Sequence, residues 1–246
     1  MALIEEFESA GKWLFRWRSY LPLVIIGISL LALRKFEYLG HSEYLDDLWE
    51  GICLTVCFFG LGIRIITVGY VPRGTSGRNT KKQVAETLNT TGIYSIVRNP
   101  LYLGNFFIGL GIALFAHFWW LTIIYILAFW LYYERIIFAE EAYLRDKFGQ
   151  KFLEWADKTP VFFPRFNQYR KAELPFSFKT VLRREYNGFF AIVVVMFLFE
   201  MIGDIYYLGS IDFDRGWILL LSIGFILWVL LRSLKKYTKL LNVEGR

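Results

Sequence analysis

Six apolar runs, at residues 20–33, 51–71, 101–116, 118–133, 188–208 and 217–231, alternate along this chain with blocks of charge. Inside hydrocarbon every backbone N–H and C=O must find its partner within the chain, so runs of this kind fold as helices. The first, third and fourth have only 14 to 16 residues. At a rise of ~1.5 Å per residue they fall short of a ~30 Å hydrocarbon core, and flanking Tyr, Trp and Arg anchors must make up the difference. The third and fourth are separated only by His117 and are expected to form a tight helical hairpin. With 56% hydrophobic and only 20% charged residues, the composition excludes an ordinary soluble domain. The expected fold is all-α: a polytopic membrane protein of about six transmembrane helices.

Charge orients it. Lys12, Arg16 and Arg18 precede the first run, whereas the loop after it holds Glu37, Glu43, Asp46, Asp47 and Glu50. Arg73, Arg78, Lys81, Lys82 and Arg98 follow the second run. Residues 134–187 are net basic, Asp212 and Asp214 mark an acidic loop, and Arg232, Lys235, Lys236 and Lys239 end the chain. Basic and acidic blocks alternate, so the positive-inside rule puts both termini, the Arg98 segment and Glu140–Glu141 in the cytoplasm. Four parts are expected. Residues 1–50 carry the N-terminal segment and first helix, and 51–165 form a membrane core with a cytoplasmic cofactor site. Residues 166–187 are a cytoplasmic connector, and 188–246 an appended two-helix unit with a basic tail.

Few residues could carry chemistry. Arg98-Asn99-Pro100 opens an apolar run, with Asn99 a natural N-cap and Pro100 tolerated in the first turn. This is either a capped helix with a snorkelling arginine or an anion site made by Arg98 and unpaired N–H groups. Glu140 and Glu141 lie where the fourth run gives out; they are a solvated helix face or line a cavity and balance a cation. Arg64 sits within an apolar run and must face protein or snorkel, and Glu200 and Asp204 share a face, paired with Arg64 or protonated. Cys53 and Cys57, four apart, are expected to be small buried residues that let helices approach. His41 and His117 are too few for a histidine-box di-iron or zinc catalytic centre, and no metal is expected. Nothing suggests nucleic acid.

Gly92, Tyr94, Arg98, Pro100, Tyr102 and Gly104 match the pattern Gly-x-Tyr-x-x-x-Arg-His-Pro-x-Tyr-x-Gly. Glu140, Glu141, Phe148, Gly149, Phe152, Trp155 and Pro164 follow as a glutamate pair, Phe-Gly and an aromatic stretch ending in proline. In both, the chain resembles the isoprenylcysteine carboxyl methyltransferase family, which groups with phospholipid methyltransferases. The resemblance covers residues 51–164, and Asn99 stands where that family has histidine.

The resemblance implies S-adenosylmethionine as methyl donor, bound by Tyr94, Arg98, Asn99, Pro100, Tyr102, Gly104 and Glu141. Arg98, Glu140 and Glu141 would be catalytic, and Arg64, Arg73 and Arg78 would hold the acceptor, a membrane lipid or lipidated substrate. O-methylation of a carboxylate or lipid phosphate is the first expectation and N-methylation of an amino-phospholipid the second. A sterol-type reductase using NADPH and a non-catalytic lipid-binding protein are the readings from other classes. The expected location is a bacterial inner membrane, or the endoplasmic reticulum in a eukaryote.

Overall fold

The computed structural model describes residues 3–18, 20–72, 74–75, 85–210 and 214–246. Arg73 and Arg78 lie outside the described residues. The described residues form eight α-helices: α1 (Leu3–Trp17), α2 (Leu21–Ala32), α3 (Glu43–Tyr70), α4 (Pro100–Phe115), α5 (Trp119–Phe148), α6 (Gln150–Lys158), α7 (Phe178–Leu208) and α8 (Arg215–Tyr237). No strand is present among the described residues, only an isolated bridge between Gly92 and Arg170.

Each apolar run lies on a helix, but several helices outrun their apolar sequence. Four, α3, α5, α7 and α8, are long and apolar enough to cross a membrane. The 12-residue α2 meets α1 at 70°, and α4 has 16 residues, so neither reaches that length alone. α4 and α5 form the expected hairpin, turning at His117 with φ 61°. The run expected to end at residue 133 continues as α5 to Phe148, because residues 134–148 contain neither proline nor glycine. Gly149 then breaks it with φ 53° and ψ −128°, a conformation closed to L side chains, and α6 starts. Likewise the boundary expected at residue 188 falls inside α7, which starts at Phe178 where the Ser177 Oγ accepts from the Thr180 N–H.

The α3–α4 contact sets the core. A Cβ on Gly60 would sit 2.5 Å from the Gly104 carbonyl, and one on Gly111 would sit 2.5 Å from the Cys53 carbonyl and the Cys57 sulfur. Small residues let the two backbones touch, which is what association inside lipid requires. Cys53 and Cys57 are fully buried and unoxidised, as their spacing suggested. α7 packs antiparallel on α3, and α8 pairs with α7. Leu219, Phe225, Ile226 and Leu230 on α8 stay exposed, an apolar face suited to lipid.

Candidate active site

A cavity of about 650 Å³ opens where α3, α4, α5 and α7 leave their apolar stretches. Its aromatic wall includes Phe15, Tyr94, Tyr133 and Trp155, and its polar lining includes Arg64, Arg98, Glu140 and Glu141.

The segment before α4 is pinned before it reaches the cavity. Gly92 adopts φ 61° and donates to the Arg170 carbonyl at 2.8 Å, while Ser95 Oγ donates to the Gly92 carbonyl at 2.7 Å. The Arg98 N–H donates to the Pro160 carbonyl at 2.9 Å, and the Arg165 N–H to the Ile96 carbonyl at 2.9 Å. Trp155 Nε1 closes the frame on the Tyr94 carbonyl at 3.0 Å. Apart from the Ser95–Gly92 bond, each of these joins the 92–99 segment to residues 155–170, which explains why both stretches carry recognisable sequence. Burial pushes the Tyr94 hydroxyl above its ordinary pKa, so it stays neutral and can both donate and accept.

Two ion pairs face the cavity. Arg98 Nε lies 3.0 Å from Glu141 Oε1, and Arg98 Nη1 donates to the Ala156 carbonyl at 2.7 Å. Glu140 accepts from the Tyr102 hydroxyl at 2.8 Å through Oε2, and its Oε1 lies 3.7 Å from Arg18 Nη1. The adjacent glutamates thus serve different partners, one from the α4 start and one from the end of α1. Deeper in, Arg64 makes a bidentate pair with Glu185 at 2.8 and 3.0 Å and donates to Asn105 Oδ1 at 2.7 Å. Asn105 in turn donates to the Tyr133 hydroxyl at 3.3 Å.

Of the residues expected from sequence, Arg64, Tyr94, Arg98, Asn99, Pro100, Tyr102, Glu140 and Glu141 all line this cavity. Gly104 does not. It sits in the α3–α4 contact, where a Cβ would meet Arg64 Cγ at 2.6 Å, so packing accounts for it. Asn99 occupies the N-cap position of α4 without capping it; its Nδ2 donates instead to the Val161 carbonyl at 3.2 Å. Glu200 and Asp204 do not pair with Arg64, whose partner is Glu185 near the start of α7. Sequence reasoning missed Arg18, Asn105, Tyr133 and Glu185. Asn105 had a readable signal, since it lies three residues from Tyr102 on one helix face; the others are joined only by the fold.

These features define an integral membrane enzyme with a polar, charge-paired cavity at the ends of its helices. The phospholipid methyltransferase family model matches residues 51–151. A nickel-cobalt-cadmium resistance protein of Alcaligenes xylosoxydans xylosoxydans is 34% identical over 161 residues, covering 65% of this chain and 70% of that one. A cobalt-zinc-cadmium resistance protein of Cupriavidus metallidurans is 33% identical over 165 residues, 66% of this chain and 71% of that one. The protein-S-isoprenylcysteine O-methyltransferase of Schizosaccharomyces pombe is 33% identical over 85 residues, 35% of this chain and 36% of that one. No solved structure matches the chain. The chain belongs to the isoprenylcysteine carboxyl methyltransferase and phospholipid methyltransferase family, and is an S-adenosylmethionine-dependent membrane methyltransferase.

Proposed function

We propose that this enzyme methylates an anionic oxygen, a carboxylate or lipid phosphate, on a lipid or lipidated substrate at the cytoplasmic membrane face. The observation that carries this reading is the pairing of both cavity glutamates. Glu140 is held by Tyr102 and Arg18, and Glu141 by Arg98. An amine acceptor must hand its proton to a base, and each of these glutamates already faces a neighbouring hydroxyl or guanidinium rather than standing open to an incoming amine. An anionic oxygen needs no base, only alignment and removal of water.

The residues fit the methyl donor. Arg98 Nε and Glu141 Oε1 are buried and, despite their proximity, neither is in a hydrogen bond. Buried polar atoms left in this state suit a ligand carrying both a carboxylate and cationic groups. When bound, S-adenosylmethionine supplies a methyl group activated by its sulfonium. Arg98 then holds the donor carboxylate, Glu141 balances its positive charge, and Tyr94, Asn99, Pro100 and Tyr102 form the surrounding wall. Glu140 keeps the Tyr102 ring in place, and Arg64, with Arg73 and Arg78, which lie outside the described residues, draws the anionic acceptor. Residues 51–165 are the catalytic core in this reading, and α7 forms a wall of the same site rather than a separate unit.

Calorimetry with purified protein in detergent tests the donor, with a nicotinamide cofactor as control. Donor binding alone supports the reading; nicotinamide binding, or no donor binding, overturns it. Transfer of labelled methyl groups to extracted lipids tests the acceptor. Label released by mild alkali as methanol marks a carboxylate methyl ester and alkali-stable label on a phosphate oxygen marks a methylated phosphate, whereas label on an amine nitrogen overturns O-methylation.

A further inference from the structure

About 21 Å along α3 from Arg64, at the end away from the active-site cavity, a second polar cluster lies buried around Glu50. Asp46 and Glu50 of α3 and Glu200 of α7 are 3%, 5% and 9% exposed, and one carboxylate oxygen from each lies within 4.8 Å of the others. None of the three has a Lys or Arg partner among the described residues. Asp204, one turn beyond Glu200, adds a fourth carboxylate that accepts from the Tyr38 hydroxyl at 2.8 Å.

Only part of this oxygen set is used. Glu50 Oε2 accepts from Trp217 Nε1 at 2.8 Å and Asp46 Oδ1 from the Leu39 N–H at 3.2 Å. Glu50 Oε1 and Glu200 Oε2 are fully buried without a hydrogen-bond partner. His117 supplies an independent sign. Its Nδ1 lies 3.2 Å from the Glu37 carbonyl, which can only accept, so Nδ1 carries the proton. Its Nε2 is buried, makes no hydrogen bond and lies 3.3 Å from Asp46 Oδ1. Even a protonated Nε2 would not aim its hydrogen at Asp46, because the contact fails hydrogen-bond alignment. The ring is 90% buried, stacked on Phe36 at 5.2 Å and flanked by Trp49. Carboxyls this crowded call for something positive between them, either a proton shared by Glu50 and Glu200 or a metal cation.

We propose that Asp46, Glu50 and Glu200 bind a divalent metal ion, with His117 offering its Nε2 at the edge of the site. Ligands ~2.1 Å from one ion stand about 3–4 Å from each other, so the present spacing needs only slight contraction. Carboxylates with one imidazole suit Mn²⁺ or Zn²⁺. An imidazole that donates its other nitrogen to a backbone carbonyl, as here to Glu37, has the usual arrangement of a metal-binding histidine. The ion would tie α3 to α7 and to the α4–α5 turn. This departs from the expectation of no metal and does not depend on the methyl acceptor.

The test uses the full chain in detergent, without a polyhistidine tag and stripped with chelator. Mn²⁺ is titrated by the loss of its free electron-paramagnetic-resonance signal, and Zn²⁺ by calorimetry. Binding of one ion per chain with a raised melting midpoint is expected. Glu50→Gln and Glu200→Gln should each weaken binding about 100-fold, and His117→Ala about tenfold, with the exposed His41→Ala unchanged. The wild-type measurement stands even if a variant fails to fold. Overturning results are binding well below one ion per chain, or the same melting midpoint with and without metal. Binding undiminished in both glutamine variants would equally defeat the assignment.

Discussion

At one end of the antiparallel α3–α7 pair, Arg64 meets Glu185 and each cavity glutamate has an arginine beside it. At the other end Glu50 meets Glu200, and Asp46 lies 3.3 Å from His117 Nε2 without a hydrogen bond between them. The same two helices thus carry a charge-balanced cluster and an unbalanced one. A balanced cluster can be buried at modest net cost and still present polar atoms to a ligand; an unbalanced one needs something added. The first suits an organic ligand carrying both signs, the second a bare cation.

Breaking the balance should have the largest effect. Glu185→Ala leaves the Arg64 guanidinium, only 18% exposed, without its carboxylate. Loss of about 3–5 kcal/mol is expected from denaturation in detergent. The apolar double variant Arg64→Met with Glu185→Leu should recover most of it; failure to recover would mean Arg64 has a role beyond the pair. Next in size are the catalytic variants. Glu141→Gln and Arg98→Ala should each lower turnover at least ~100-fold, about 3 kcal/mol, and reduce donor affinity, with the protein still folded in detergent though at a lower melting midpoint, since each breaks the buried Arg98–Glu141 pair. Full activity in both would remove them from the site.

Much of the fold was legible because membrane burial writes itself into long apolar runs; all six became helices. The motif stretches were legible because they interlock locally around the cavity, as the Trp155–Tyr94 and Arg98–Pro160 bonds show. What escaped is long-range pairing. Arg64 and Glu185 are 121 residues apart, and Glu50 and Trp217 167, so no spacing rule connects them. Arg18 was legible as an orienting charge but not as the neighbour of Glu140, since both roles ask for the same residue type at the same membrane depth. Helix ends were misjudged where the chain leaves lipid but stays helical, as in residues 134–148 of α5, because hydropathy reports the solvent and not the helix.

At the far end the corresponding change should be small. In metal-free protein Glu50→Gln removes one of the crowded carboxylates and keeps an acceptor for Trp217 Nε1. Stability should change by less than about 1 kcal/mol, or rise, in contrast with Glu185→Ala. A loss comparable to that of Glu185→Ala would show that the far cluster is balanced by a hydrogen-bond network and needs no cation.

The smallest effect concerns the position where this chain departs from its family pattern. Asn99 donates from Nδ2 to the Val161 carbonyl at 3.2 Å and leaves α4 without a side-chain cap. An imidazole N–H can make the same bond, so Asn99→His should fold with stability within about 0.5 kcal/mol of the parent. Turnover should stay within a few-fold, and its pH profile should gain no new inflection near the histidine pKa of about 6.5, because the anionic acceptor asks for no base. A large gain in rate with such an inflection would instead assign that position to proton transfer. The balanced end of the molecule would then do acid–base chemistry, and the acceptor would be an amine.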